Sequence, residues 1–348
     1  MKLARFIKRF RARSWRVVTT QLIGGAVRRP KLGTVETSMI LQSAILTTMT
    51  LLLLSGAAVA QQRADPDFRP QVGAPAYMDS SGPRVGIDAA HKNWHTAAGR
   101  FAPFAHLLEA DGYQVQAFTT AFTLSRLSEI DVLVVANAAA DTLSTGSERL
   151  PTATAFTSDE VATIGRWVAD GGRLLLIADH MPSGGEAHEL AAAFGVLFTN
   201  GFAFSGVGNP LPDVFRRSDG LVGDHPITRG RSTKEAIDSV ATFRGQAFQA
   251  RSDVSPLLVF GASAFSILPV DAAVDFTEDT PRVPSPGWFQ GVALTHGAGR
   301  VAIFGEAAMF TAQVFGQQQR KLGMNHPAAT QNAQFVLNVM HWLSDLLN

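Results

Sequence analysis

The sequence predicts an α/β domain built on a mostly parallel sheet with helices on both faces. Three observations predict it. Short apolar runs without alternation, RVGID (84–88), VLVVA (132–136) and LLLIA (174–178), read as strands buried on both sides. Helical patterns separate them. Glycine-containing stops, Asp111-Gly112 and Gly171-Gly172, stand where each helix must hand over to the next strand.

Taken in order, Arg84 to Asp88 is the first strand, and a helix through Phe104, Leu107 and Leu108 follows. Tyr113 to Phe118 and Val132 to Ala136 are the next two strands. Thr157 and Glu160 have the spacing of a capping box, so a helix begins there and runs to Asp170. The stretch LLLIADHMPSGGEAHELAAAFGV (174–196) reads as a buried strand, a sharp turn and a helix ending at Phe194-Gly195. Residues Thr199 to Arg251 are broken by Gly and Pro, which indicates long loops and a few short strands. Within them, His225 to Thr228 reads as a turn feeding a strand. SPLLVF (255–260) is strand-like, and WFQGVALTHGAGRVAIFGE (288–306) is a hairpin turning at Gly297-Ala298-Gly299. The last helix carries Phe335, Val339, Leu343 and Leu346 on one face. Polar residues 316–334 read as an ordinary loop, or as a lid placing Asn325 and His326 over a crevice.

Upstream of the domain the composition changes. Residues 1–38 hold ten Lys/Arg and one acid, which leaves 20 basic and 28 acidic residues, a net of −8, for the remainder. A charge-free run from Thr37 to Gln62 ends Ala58-Val59-Ala60, the small-residue pattern of signal peptidase. The expected organisation is therefore a basic leader with a signal peptide or signal anchor (1–60), a flexible linker (61–83), and the α/β domain (84–348). Either reading of the leader exports the domain to a periplasmic or extracellular space, and membrane contact is expected only through an uncleaved N-terminal segment. The basic leader is long, so Met39 is an alternative start. The acidic domain has no Lys/Arg run, which argues against nucleic acid as a partner. With no cysteine in the chain, disulfides, lipoprotein anchoring and thiolate chemistry are excluded together.

In an open parallel sheet, ligands bind beyond the carboxyl ends of the strands. The first strand end delivers Asp88, His91, Asn93, His95 and Arg100, and the next delivers Asn137. After LLLIA come Asp179, His180 and the Ser183-Gly184-Gly185 turn, and after VAIFG comes Glu306, with Gln313 two turns on. Each has a plainer reading: Asp88 capping a turn, His91 and His95 on a surface loop, Glu306 stabilised by a helix dipole. Their convergence on one edge points to a site. Asp179, His180 and Glu306 are its candidate catalytic groups. Asp88, His91, Asn93, His95, Arg100, Asn137, Gly184, Gly185, Gln313 and Asn325 are candidate ligand contacts. His91, His95, Asp179 and His180 have the donor types for a divalent metal such as Zn or Mn, though no HExxH-like spacing requires one.

The stretch 174–196 resembles the strand, elbow and helix of the class I glutamine amidotransferase-like superfamily, and GDHPITRG (223–230) resembles the His-Pro-Ile-Thr segment of its ThuA-like branch. IDAAHKNWHTAAGRFAPFAHLLEADGYQV (87–115), FGEAAMFTAQ (304–313) and MNHPAATQNAQFVLNVMHWL (324–343) are similar to an uncharacterised bacterial branch related to gliding-motility and intraflagellar-transport proteins. The resemblance implies a flavodoxin-like fold and a polar ligand such as a saccharide or cell-envelope fragment. It departs at the elbow, where Asp179, His180 or Met181 stands in place of the nucleophilic Cys, so thioester-based glutamine hydrolysis is not expected. A hydrolase using the Asp/His cluster, with or without a metal, is the alternative to a binding module. The signal-peptide reading yields a mature N-terminus at Gln61; N-terminal sequencing of the secreted or periplasmic product checks it, and an intact Met1 on a cytoplasmic product contradicts it.

Overall fold

The computed structural model describes residues 62–348 apart from 79, 141–148, 209 and 273–275, so the leader and its cleavage site lie outside the described residues. Five parallel strands make up one side of a nine-stranded sheet: β1 (Arg84–Asp88), β2 (Gln114–Phe118), β3 (Val132–Ala136), β4 (Arg173–Ile177) and, from the C-terminal part, β9 (Gly299–Phe304). Their spatial order is β2-β1-β3-β4-β9, the flavodoxin-like order. The remaining strands are β5 (Val196–Phe198), β6 (Phe248–Ala250), β7 (Ser255–Val259) and β8 (Phe289–His296), and they extend the sheet in antiparallel fashion beyond β9.

Why these segments are strands is visible in their burial. In β3 and β4, Val134 and Leu175 pack into one core with helices α1 (Ala102–Ala110) and α3 (Asn332–Leu343), through Phe104, Leu108, Phe335 and Val339. Their neighbours Leu133, Val135, Leu174 and Leu176 pack on the other face against Ile164 and Val168 of helix α2 (Ser158–Ala169). Both faces are covered, which is why the runs lack alternation. Helix α2 starts where the sequence places it. Thr157 accepts from the Glu160 N–H and Glu160 reaches back to the Thr157 N–H, a complete capping box. Helix α1 ends before Gly112, whose φ is +92° and where a Cβ would overlap the Tyr77 carbonyl oxygen, so no side chain is admitted.

Four sequence readings need correction. Residues 62–83, read as a tether, are docked on the domain: Arg63–Ala64 pairs with Ala312–Phe315, Ala76 donates to Asp111, and Tyr77 packs edge-on against Tyr113. The polar stretch after Phe315 is not an ordinary loop. Its Arg320–Gly323 segment is a strand paired with Ala312–Phe315. The expected elbow helix is two short ones, Ser183–Glu186 and His188–Ala193. His225 to Thr228 is no turn into a strand but the start of a one-turn helix, with the His225 ring accepting from the Ile227 N–H. The Gly- and Pro-broken middle does hold short strands: Phe202–Phe204, Asp213–Arg216 and Ser239–Thr242 enter two small sheets, and β6 joins the main one. Among the described residues no helix is long and apolar enough to cross a membrane.

Asp111 ties these parts together. Fully buried at the end of α1, it accepts the Ala76 N–H at 2.8 Å through Oδ1 and pairs with His341 Nε2 of α3 at 2.7 Å through Oδ2. Removing one partner of a buried pair strands the other, so Asp111→Ala is expected to cost about 3–5 kcal/mol in urea unfolding. It should also speed proteolysis within residues 62–83. A change below about 1 kcal/mol with unaltered proteolysis would mean that this junction holds nothing.

Candidate functional site

The order of the central strands reverses between β1 and β3, and the crevice expected there is present. Asn137, one residue beyond β3, adopts a left-handed backbone with φ of +49°. Its Oδ1 accepts the Asp179 N–H at 2.9 Å, and its Nδ2 lies 3.4 Å from His95 Nδ1. The ends of β1, β3 and β4 are thereby joined. Asn93 crosses the same gap, with Nδ2 donating to the carbonyls of Ala136 at 3.1 Å and Asp88 at 3.3 Å. A cavity of about 430 Å³ opens above these contacts, lined by Asn93, His95, Arg100, Asn137, Asp179, His180 and Gln313 among the residues expected there.

Asp179 is held by several bonds. Oδ1 accepts the His180 N–H at 2.9 Å, Oδ2 lies 3.4 Å from the Ala307 N–H, and the backbone carbonyl accepts from Gln246 Nε2 at 3.0 Å. The His180 ring stacks on Phe202 with centroids 4.1 Å apart, and its Nδ1 sits 2.9 Å from the Met181 carbonyl. That contact assigns the proton of a neutral ring to Nδ1 and leaves Nε2 as an acceptor, 4.0 Å from Asp179 Oδ1. His95 is buried, and desolvation together with the neighbouring Arg100 drives its pKa down to about 3, so it is a neutral ring. Burial also lowers the Arg100 guanidinium, against the opposing field of Asp179.

Gln313 is fully buried, and among the described residues neither atom of its side-chain amide has a hydrogen-bond partner; the Asn93 Oδ1 is likewise unpartnered among them. Both line the cavity.

Other expected site residues lie elsewhere. Asp88 is wholly buried below the cavity, where its Oδ1 accepts the Ala90 N–H and pairs with His91 Nδ1 at 2.9 Å. His91 turns away from the crevice, between the rings of Phe122 and Phe156, with Nε2 3.2 Å from Glu160 Oε1. It is a bridge between β1 and α2. Glu306 faces a second cavity of about 760 Å³, which shares Asp179 and His180 with the first. Both its oxygens accept backbone N–H groups, from Ala308 at 2.7 Å and Met309 at 2.8 Å. Burial first, then the nearby Asp179, nevertheless push its pKa well above the usual carboxylate range.

Gly184 and Gly185 are demanded by packing. A Cβ on Gly184 would collide with the Gln246 amide nitrogen, and one on Gly185 would lie 2.6 Å from the Asn200 amide nitrogen and Thr152 Cβ. Asn325 binds Asp65 Oδ2 and the Gln313 carbonyl, bracing the strand that carries Gln313, and lines neither cavity. His326 lines the second. Of the metal candidates, His95, Asp179 and His180 share the first cavity while His91 does not, and among the described residues no three His, Asp or Glu groups are placed to hold an ion together.

Sequence reasoning missed several parts. Gln246, fully buried, binds the Ala178 and Asp179 carbonyls and the Asn200 N–H, so it fixes the turn from behind. Nothing local marks it. Glu186, Phe315 and Trp94 also line the cavity; of these only Trp94, an aromatic set between polar residues in HKNWH, carried a local signal.

No protein-family model matches the chain, and no curated protein matches it. Similar solved structures include the mmIFT52 N-terminal domain, 15% identical over 75% of this chain and 97% of that one, with a TM-score of 0.49. A ThuA-like protein from Bacteroides uniformis is 13% identical over 79% of this chain and 94% of that one, TM-score 0.42. A GMP synthase component from Thermoplasma acidophilum is 10% identical over 76% of this chain and 94% of that one, TM-score 0.38. The fold assignment rests on the strand order itself.

The His91 bridge yields a pH dependence. Burial lowers the His91 pKa, but the hydrogen bond and charge of Asp88 and the charge of Glu160 outweigh it, and the net shift is upward. A raised histidine contributes its full stabilisation below its unfolded pKa of about 6.5 and loses it as pH rises through the folded value. The stability difference between parent and His91→Gln, measured as urea midpoints from acid to alkaline pH, should therefore shrink above about pH 6.5. A constant difference would remove the bridge from the account.

Proposed function

We propose that this chain is an exported, amidotransferase-like α/β domain without glutaminase activity that binds a small polar ligand in the first cavity, a saccharide or a cell-envelope fragment being the class in view. The observation that carries this reading is Gln313. A buried amide that makes no hydrogen bond costs about 1–3 kcal/mol for each unsatisfied group; of the buried side-chain groups without a partner among the described residues, only those of Gln313 and Asn93 line the first cavity, where a ligand can satisfy them. Asn93 Oδ1 adds a second unsatisfied acceptor on the same wall. The volume of about 430 Å³ lies within the range of small-ligand sites. Asn137 and Gln246 hold the lining rigidly, as a preorganised site requires.

A hydrolase is the second reading, favoured by one observation. His180 keeps Nδ1 on the Met181 carbonyl and leaves Nε2 as an acceptor on the cavity wall, the disposition of a general base. Glu306, the expected acid partner, lines the second cavity and not the first.

Gln313→Leu separates a binding site from ordinary core. The variant should melt at or above the temperature of the parent, because an unsatisfied amide is replaced by an apolar group of similar size. In a thermal-shift screen of neutral sugars, sugar acids and amino acids, compounds that stabilise the parent should leave the variant unmoved. A marked loss of stability in Gln313→Leu, with no compound stabilising the parent, would overturn the reading.

A further inference from the structure

The charges lining the first cavity are unequally engaged. Its carboxylates are committed to the backbone: Asp179 accepts the His180 N–H and faces the Ala307 N–H, and Glu186 Oε1 accepts the Ala140 N–H at 3.2 Å. Arg100 is different. Of its five N–H donors only Nε finds a protein acceptor among the described residues, the Gln62 carbonyl at 3.1 Å. Among the described residues no carboxylate lies within ion-pair distance of its guanidinium; Asp179 reaches it only as a longer-range field. The guanidinium is also held in place, 5.1 Å over the ring of Trp94. A half-buried, immobilised guanidinium with its outer fork open matches a carboxylate, which it can receive through two parallel hydrogen bonds.

We infer that the first cavity is a carboxylate-recognition site and that its ligand is a sugar acid, with Arg100 receiving the carboxylate and Gln313 and Asn93 reading hydroxyl groups. This rests on the proposed ligand-binding role of the cavity. The division of labour follows from the donor inventory. A hydroxyl donates one hydrogen and accepts others, so it satisfies both the acceptor-only Asn93 Oδ1 and the paired donor and acceptor of the Gln313 amide. Phe315, 43% exposed and lining the cavity, offers the apolar surface on which the C–H face of a sugar ring can lie. His95, neutral because of its burial, does not compete with Arg100 for the anion. Arg100 is thus the specificity-determining residue, and the amides supply affinity for the uncharged part.

The test is isothermal titration of the full chain at neutral pH with D-galacturonate and D-glucuronate beside D-galactose and D-glucose. At least one acid should bind about tenfold or more tightly than its neutral counterpart, with the preference falling as salt rises. Arg100→Gln should abolish the preference while leaving the weak binding of the neutral sugar. Arg100→Lys, which keeps the charge and loses the fork, should retain only part of it and guards against misfolding of the first variant. Equal binding of acid and neutral sugar overturns the inference and leaves the polar-ligand reading intact. An acid preference that survives Arg100→Gln overturns the assignment of Arg100. Binding by none of the four, while other compounds of the thermal screen stabilise the parent, overturns the sugar-acid class alone; silence of the whole screen overturns both.

Discussion

The side chain of Asn137 is the joint on which the crevice depends. Three parallel strands end side by side at this edge, and each must leave the sheet in a different direction with its last backbone groups satisfied. The Asn137 N–H still bonds to the Ile177 carbonyl, but its φ of +49° turns the chain out of the strand, and the amide then fastens the Asp179 N–H. Asparagine tolerates this conformation better than most residues with a side chain. Asp179 and His180 are consequently presented at the cavity rather than continuing β4. Gln246 clasps the same turn from the opposite side, so the turn is fixed between two amides.

Much of the architecture was legible because it depends on local chemistry. Apolar runs such as VLVVA, the Thr157–Glu160 box and the Gly112 stop each carry their physical cause within a few residues. The carboxyl-edge rule then brought Asn93, His95, Arg100, Asn137, Asp179, His180 and Gln313 to one cavity. What stayed hidden depended on partners far along the chain. His91 follows a strand end like His95 does, yet Glu160, 69 residues later, draws it to the other side of the loop. Residues 62–83 have the composition of a linker, but backbone pairing with Ala312–Phe315 is blind to composition. The hairpin of Arg320–Gly323 escaped notice for the same reason: its polar side chains say little, and its ladder is made of main-chain groups.

The site and the scaffold divide the buried polar residues between them. Asp88, His91, Glu160, Asp111 and His341 are paired within the protein and hold elements together. Among the described residues, the Gln313 amide and Asn93 Oδ1 are buried without partners, and Arg100 has donors to spare. Burial alone does not distinguish the two groups. Hydrogen bonding and position together do: among the described residues His341 Nδ1 and Asn325 Oδ1 also lack a partner but lie outside the first cavity, whereas Gln313 and Asn93 line it.

The antiparallel extension beyond β9 also sets which strands stand at the margins of the sheet. It places the end of the nine-stranded sheet at β5, only three residues long, while the opposite end is the five-residue β2. An unpaired strand margin is where a second chain can add its own backbone and begin an open-ended assembly. Here one margin spans too few peptide groups to support a stable ladder, and the other alternates glutamine with small or apolar residues along a short reach. The sheet is nine strands wide, yet each of these two margins exposes a row of no more than five residues with which a second chain could pair.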